Sequence, residues 1–170
     1  MENHQTPIII DIEASGFGRG GYPIEIGFVM SDGMAQCHLI HPYDDWTHWE
    51  AEAENLHGLK RETVVRFGMD GAYVARQLNQ LLDGQTVYSD AWSYDSSWLA
   101  LLFDRAELRQ RFTIEHLAVI TTEEQKAIWE KTRDEISTEL GLKRHRASAD
   151  ARLIQATWLR TRELKQAASL

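Results

Sequence analysis

Ile8-Ile9-Ile10-Asp11-Ile12-Glu13-Ala14-Ser15-Gly16 is the stretch whose reading decides the fold. Three β-branched residues in a row suit a pleated, covered surface, because their χ1 angles are stiff and their bulk is apolar. Two acids follow at i and i+2, a spacing that puts both carboxylates on one face of a strand. Removing an isolated charge from water is costly, so acids on a buried strand are normally paired or bound to metal. Oxygen ligands of this kind suit hard cations such as Mg²⁺ and Mn²⁺. Alone, the D-x-E pattern is common by chance.

Outward from this strand, Ser15 to Gly21 holds four glycines and reads as a flexible loop. Tyr22 to Met30 resumes strand character, Ser31-Asp32-Gly33 signals a turn, and Met34 to His41 reads as a third strand. Together they predict an antiparallel meander. Pro42 to Glu54 carries Trp46, His48 and Trp49 and reads as a surface loop pinned by aromatics or as a substrate-facing rim. A short helix is predicted over Ala51–Leu56, ended at His57-Gly58. A clear amphipathic helix covers Asp70–Leu82, with Val74, Ala75, Leu78, Leu81 and Leu82 on one stripe. Thr86-Val87-Tyr88 is a brief strand, and helical spacing returns from Ser96 to Arg105. A last short strand is predicted within Phe112–Val119. Thr121 to Leu140 forms a helix opened by Thr-Thr-Glu-Glu and stopped at Gly141, and the final helix starts near Ser148 and runs through Trp158. The order β-β-β-α-β-α-β-α-α implies an α/β domain with a mixed sheet.

The bulk numbers bound the function. A chain of 170 residues, 43% hydrophobic and 26% charged, is expected to form one domain, residues 1–170, with a sizeable core. No apolar run approaches the ~18 residues that span a bilayer, and Met1 to Thr6 lacks the features of a signal peptide. The single cysteine, Cys37, excludes an internal disulfide and a cysteine-built zinc site. These readings predict a cytoplasmic protein without membrane partners. A net charge of −8 argues against wrapping long duplex, which needs a basic footprint. Two divalent ions at a four-acid site would halve that charge and leave short nucleic acid accessible.

Three acid-bearing stretches fall at the ends of predicted elements. Asp11 and Glu13 sit on the first strand. Asp95 follows a short strand at a helix start, and Asp150 lies in the first turn of the last helix, five residues after His145. Taken singly, Asp95 and Asp150 fit ordinary helix starts and His145 fits a solvated loop. Taken together, D-x-E, Tyr94-Asp95 and His145-Arg146-Ala147-Ser148-Ala149-Asp150 occur in an order that resembles the DEDDh-type 3′–5′ exonucleases of the ribonuclease H-like fold. Ile24-Glu25-Ile26-Gly27 is similar to the family's second-strand motif, and Leu56-His57-Gly58-Leu59 to its His-Gly turn. The resemblance covers about residues 7 to 160.

The resemblance implies that Asp11, Glu13, Asp95 and Asp150 hold two divalent ions, Mg²⁺ or Mn²⁺, with His145 as general base. Two ions ~3.5–4 Å apart stabilise both attacking and leaving oxygens of a phosphodiester. A neutral imidazole, of ordinary pKa ~6.5, accepts a proton at physiological pH. The Arg144-His145-Arg146 cluster is expected to keep that imidazole neutral by like-charge repulsion and to offer phosphate contacts. The resemblance also implies a substrate-binding set of Ala14, Ser15, Gly16, Phe17, His57 and Arg146. In it, backbone N–H groups after the acids meet the terminal nucleotide and Phe17 stacks on a base. Phe17 also fits a loop residue folding back on the core, and His57 also fits a helix cap or core histidine. The sequence departs from the family at Ala14, where Thr is common, and at Asp90 and Ala91, where His-Asn is frequent. The Asn would have supported the turn before Asp95.

The function implied is hydrolysis of single-stranded or short nucleic acid from its 3′ end. RNA is favoured slightly over DNA, because a compact domain of this type resembles the oligoribonuclease and ribonuclease T group. A DNA proofreading or repair exonuclease and a catalytically silent nucleic-acid-binding module of the same fold are the alternatives. The same resemblance points to a homodimer, for which Trp46, Trp49 and Trp158 are candidate interface residues or core.

Overall fold

The structure is a computed structural model and describes residues 5–141 and 145–168. Its elements are β1 (Ile8–Ala14), β2 (Pro23–Val29), β3 (Ala35–Leu39), α1 (Ala51–His57), α2 (Arg61–Phe67), α3 (Gly71–Leu82), β4 (Thr86–Ser89), α4 (Trp92–Arg105), β5 (Thr113–His116), α5 (Glu123–Leu140) and α6 (Ala147–Ala168). A 3₁₀ turn over Leu117–Ile120 links β5 to α5. The strands form one sheet in the order β3-β2-β1-β4-β5. The predicted meander is present: β1 pairs antiparallel with β2, and β2 with β3. β4 lies on the other side of β1 and runs parallel to it, with Ile8 opposite Val87 and Ile9 opposite Tyr88. Both strands therefore end at the same edge of the sheet. In an open α/β sheet this carboxyl edge is where ligands are bound.

Alternation along β1 divides its side chains between two cores. Ile8, Ile10, Ile12 and Ala14 pack with Val74, Leu78 and Leu82 of α3 and Leu99 and Leu102 of α4. Ile9 faces the other way, toward Ala151, Ile154 and Trp158 of α6. Asp11 and Glu13 are two and four residues from Ile9, so the acids point to the side covered by α6. The burial of β1 and β2 on both faces explains their near-continuous apolar runs.

Several boundaries differ from the sequence reading. α4 begins at Trp92, four residues before the expected Ser96, so Asp95 lies inside its first turn. The early turn was illegible because Ala91 supplies no side-chain cap and Trp92 and Tyr94 are exposed, off the apolar stripe. Helix α2 was not expected: it has seven residues, an uncapped Lys60 start and one buried side chain, Val64. The last strand spans only Thr113–His116. Trp46, Trp49 and Trp158 pack in or against the two cores. Trp46 stacks on Tyr22 with ring centroids 5.0 Å apart, Trp158 donates to the Ile120 carbonyl at 3.1 Å, and Trp49 donates to Glu54 at 2.6 Å. Trp46 and Trp158 are 7% and 5% exposed, which matches the core alternative for these two. Among the described residues, no helix is long and apolar enough to cross a membrane.

Candidate active site

At the carboxyl edge of the sheet, one carboxylate oxygen each from Asp11, Glu13 and Asp150 lie within 4.8 Å of one another. β1 supplies the first two, and the first turn of α6 brings Asp150 over them. Asp95 comes from α4, is 1% exposed, and has the largest charge effect of any group on Asp11. Four acids from three distant stretches thus converge. Asp90, at the end of β4, adds a fifth charge that acts on both Asp11 and Asp95.

Crowding of like charge in a desolvated place disfavours ionisation. Burial, then the charges of Asp95, Glu13, Asp150 and Asp90, hold the Asp11 carboxyl well above the usual carboxylate range. Burial, then Asp150 and Glu25, push Glu13 up to about 7, with Arg146 opposing. Burial, then Asp90 and Glu13, push Asp95 up to about 8 against the lowering hydrogen bond from Ser89. The donor set is all carboxylate oxygen. That chemistry fits hard divalent cations.

Ser89 is a contributor that the sequence reading missed. Its hydroxyl donates to Asp95 Oδ2 at 2.5 Å and accepts the Ala91 N–H at 2.9 Å. The buried serine therefore braces the turn where an Asn was lacking, and it fixes one oxygen of Asp95. Only its position, at the end of a short strand, hinted at this.

Glu25 and Gly27 anchor the segment carrying His145 and Asp150. Glu25 is opposite Glu13 in the β1–β2 register and fully buried. Its carboxylate receives Arg146 Nε at 3.0 and 3.1 Å and the Ala147 N–H at 2.9 Å, so it caps α6 from across the sheet. Arg146, with Ala147 and Cys37 assisting, holds the Glu25 carboxyl below the usual range despite its burial. A Cβ at Gly27 would collide with the backbone of Ala147 and Ser148. The Glu-Ile-Gly motif thus both clamps α6 and admits it. Arg146, expected to meet phosphate, is instead committed to Glu25, and Lys143 and Arg144 of the basic patch lie outside the described residues.

His145 stands beside the cluster on a strained backbone, with φ of 59°. A left-handed conformation at a residue bearing a Cβ costs about 1–2 kcal/mol and is held here by its N–H, which donates to Asp150 Oδ2 at 2.8 Å. The imidazole Nδ1 is 4.0 Å from the same oxygen, and the side chain is 38% exposed.

The stretch after the acids forms a lip. Ala14 ends β1 with its side chain buried. Ser15 is also buried, its hydroxyl accepting the Tyr22 N–H at 3.1 Å, so its side chain is spent inside the loop. Gly16 lies against the Glu50 carboxylate. Phe17 is 57% exposed and leans edge-on against Tyr94, centroids 5.7 Å apart, and on Trp98 at 6.1 Å. Tyr94 and Trp98 lie on the same helix as Asp95, on either side of it in sequence. His57 is 2% exposed and its Nδ1 accepts the Leu59 N–H at 3.0 Å. It is placed as a capping and core histidine behind the end of β1. Burial lowers its pKa.

No protein-family model matches the chain, and no curated protein matches it by sequence. Solved structures do match it. Escherichia coli exonuclease I, in its zinc-bound complex with single-stranded DNA, aligns with a TM-score of 0.68 at 16% identity, over 92% of this chain and 40% of that one. The same enzyme with a dA16 oligonucleotide gives 0.68 at 15% identity, over 95% and 42%. Exonuclease I from Methylocaldum szegediense gives 0.65 at 15% identity, over 93% and 41%. The chain shares their fold. The mixed five-stranded sheet is the ribonuclease H-like arrangement of these exonucleases, and the chain spans about two fifths of their length.

Proposed function

We propose that the chain is a metal-dependent 3′–5′ exonuclease domain that shortens single-stranded or short nucleic acid. The observation that carries this reading is the convergence of Asp11, Glu13 and Asp150 oxygens within 4.8 Å, with buried Asp95 alongside. Asp11, Glu13, Asp95 and Asp150 would hold two ions, Mg²⁺ or Mn²⁺. Bound there, divalent cations would supply Lewis acidity toward a water and the attacked phosphate. His145, partly exposed beside Asp150, would act as general base toward the attacking water. Its backbone N–H bond to Asp150 Oδ2 ties the residue to the cluster. The lip, through Phe17, offers an aromatic face to the terminal base, an interaction worth ~1–3 kcal/mol whatever the base.

The preference for RNA rests on the likeness of a compact domain to oligoribonuclease and ribonuclease T. Solved neighbours include complexes with single-stranded DNA and with a dA16 oligonucleotide, which makes DNA the necessary second substrate in any test. The experiment is incubation of 5′-labelled RNA and DNA oligomers with the protein in Mn²⁺ or in EDTA. A ladder shortening from the 3′ end in Mn²⁺ alone is the expected result. Tight oligomer binding without cleavage would overturn it in favour of a silent binding module. Asp150→Asn should lower turnover by more than about a hundredfold, beyond the 10–100-fold typical of groups that only support metal ligands. Retention of most activity in that variant would remove Asp150 from the metal site.

A further inference from the structure

Glu50 occupies the N-cap position of α1, where an acidic side chain ordinarily accepts the first N–H groups of its own helix. It makes no such bond. Its carboxylate reaches across to the lip instead. Oε2 accepts the Phe17 N–H at 3.2 Å and Oε1 accepts the Gly18 N–H at 3.3 Å. His48 Nε2 bonds the same Oε1 at 2.8 Å, and the Glu50 N–H donates to the Ser15 carbonyl at 2.8 Å. One residue therefore grips the loop at three backbone positions, Ser15, Phe17 and Gly18, on both sides of Gly16. Gly16 is needed for this: a Cβ there would collide with Glu50 Cδ, and one at Gly18 would lie 2.9 Å from Oε1. The hydrogen bond from His48, then that from Phe17, hold the Glu50 carboxyl below its usual range, which keeps it an anion and a strong acceptor.

A loop with glycine at 16, 18, 20 and 21 has little conformational preference of its own. Phe17, in its middle, is held on one side by Tyr94 and Trp98 and on the other by this carboxylate. We propose that Glu50, steadied by His48, is a positioning residue that fixes the lip loop and so presents Phe17 to the unpaired base at the 3′ end of the substrate. The inference rests on the exonuclease reading. Glu50 touches neither the acids nor the reacting bond. Its effect is to remove the ordering cost of the loop before substrate arrives, which favours binding over turnover.

Two measurements separate the clamp from the reading it rests on. Amide hydrogen exchange on the substrate-free protein needs no activity: Glu50→Ala should speed exchange at Phe17 and Gly18 by about tenfold or more, and Glu50→Gln, which keeps one acceptor oxygen, by less. Unchanged exchange in Glu50→Ala would overturn the clamp. In the cleavage assay, Glu50→Ala should raise KM for single-stranded oligomers about tenfold with kcat within about twofold, a loss of the size carried by one stacked base. In a Phe17→Ala background the Glu50 change should add little, since both act through one contact. Full additivity, or a loss confined to kcat, would sink the presentation of Phe17. Absence of cleavage by the wild-type protein would overturn the exonuclease reading and this role together, while the exchange result would still judge the clamp.

Discussion

Glu13 and Glu25 face each other across β1 and β2, on the side covered by α6, and both are buried. Their acidities move in opposite directions. Glu25 is held below the usual carboxylate range and Glu13 is pushed up to about 7. Burial raises both, so the difference is the counter-charge. Glu25 has Arg146 and the Ala147 N–H within hydrogen-bond reach; Glu13 has Asp150 as its strongest charged neighbour. One carboxylate is complete within the chain. The other belongs to a cluster of acids that raise one another, and a divalent cation would supply further counter-charge there.

The largest effect on stability should come from breaking the completed side. Arg146→Met keeps the length of the side chain but leaves Glu25 buried without a cation. Loss of one partner of a buried pair costs 3–5 kcal/mol, and because Arg146 is one-third exposed the low end, about 3 kcal/mol, is expected from denaturant unfolding. Since Arg146 also holds the start of α6, cleavage should fall with it even in saturating Mn²⁺. Unchanged stability would mean that the pair is not what seats α6.

Much of this contrast was legible in the sequence. Asp11 and Glu13 on one face, Asp95 near a helix start and Asp150 after His145 all follow from periodicity and motif order, and the antiparallel meander from turn signals. What local pattern does not carry is partnership at long sequence separation. Arg146 looked like a phosphate ligand within its basic run because Glu25, its partner, is 121 residues away. Nothing local marks Ser89 or Glu50, because their acceptors and donors are set by tertiary approach. The start of α4 was hidden for a related reason: its first turn is exposed, so the apolar period begins only after it.

A second, smaller effect should have the opposite sign. Glu13→Gln removes one charge from the crowded acid cluster and should stabilise the metal-free protein by about 1–2 kcal/mol, while abolishing cleavage. Arg146→Met and Glu13→Gln thus shift EDTA-state unfolding midpoints in opposite directions. If Glu13→Gln destabilised the metal-free protein, the cluster would be internally satisfied, and the contrast with Glu25 would collapse.

The smallest effect is a slope with pH, and its sign follows from proton counts. Glu13 and Asp95 rise from ordinary values of 4.5 and 3.8 to about 7 and about 8 on folding. Asp11 and Asp90 are raised as well, so across this range the native state binds more protons than the unfolded state and stability falls as pH rises. Burial lowers His38 and His57, which act in the opposite direction only up to their unfolded value of 6.5, and Glu25 contributes only below 4.5. The window from pH 6.5 to 8.5 therefore isolates the acid cluster. In EDTA the unfolding free energy should decline across it. In Mn²⁺ the decline should flatten or reverse, because cation binding requires the deprotonated carboxylates and strengthens as they ionise. A decline of equal slope in both conditions would mean that the cation does not bind where these protons leave.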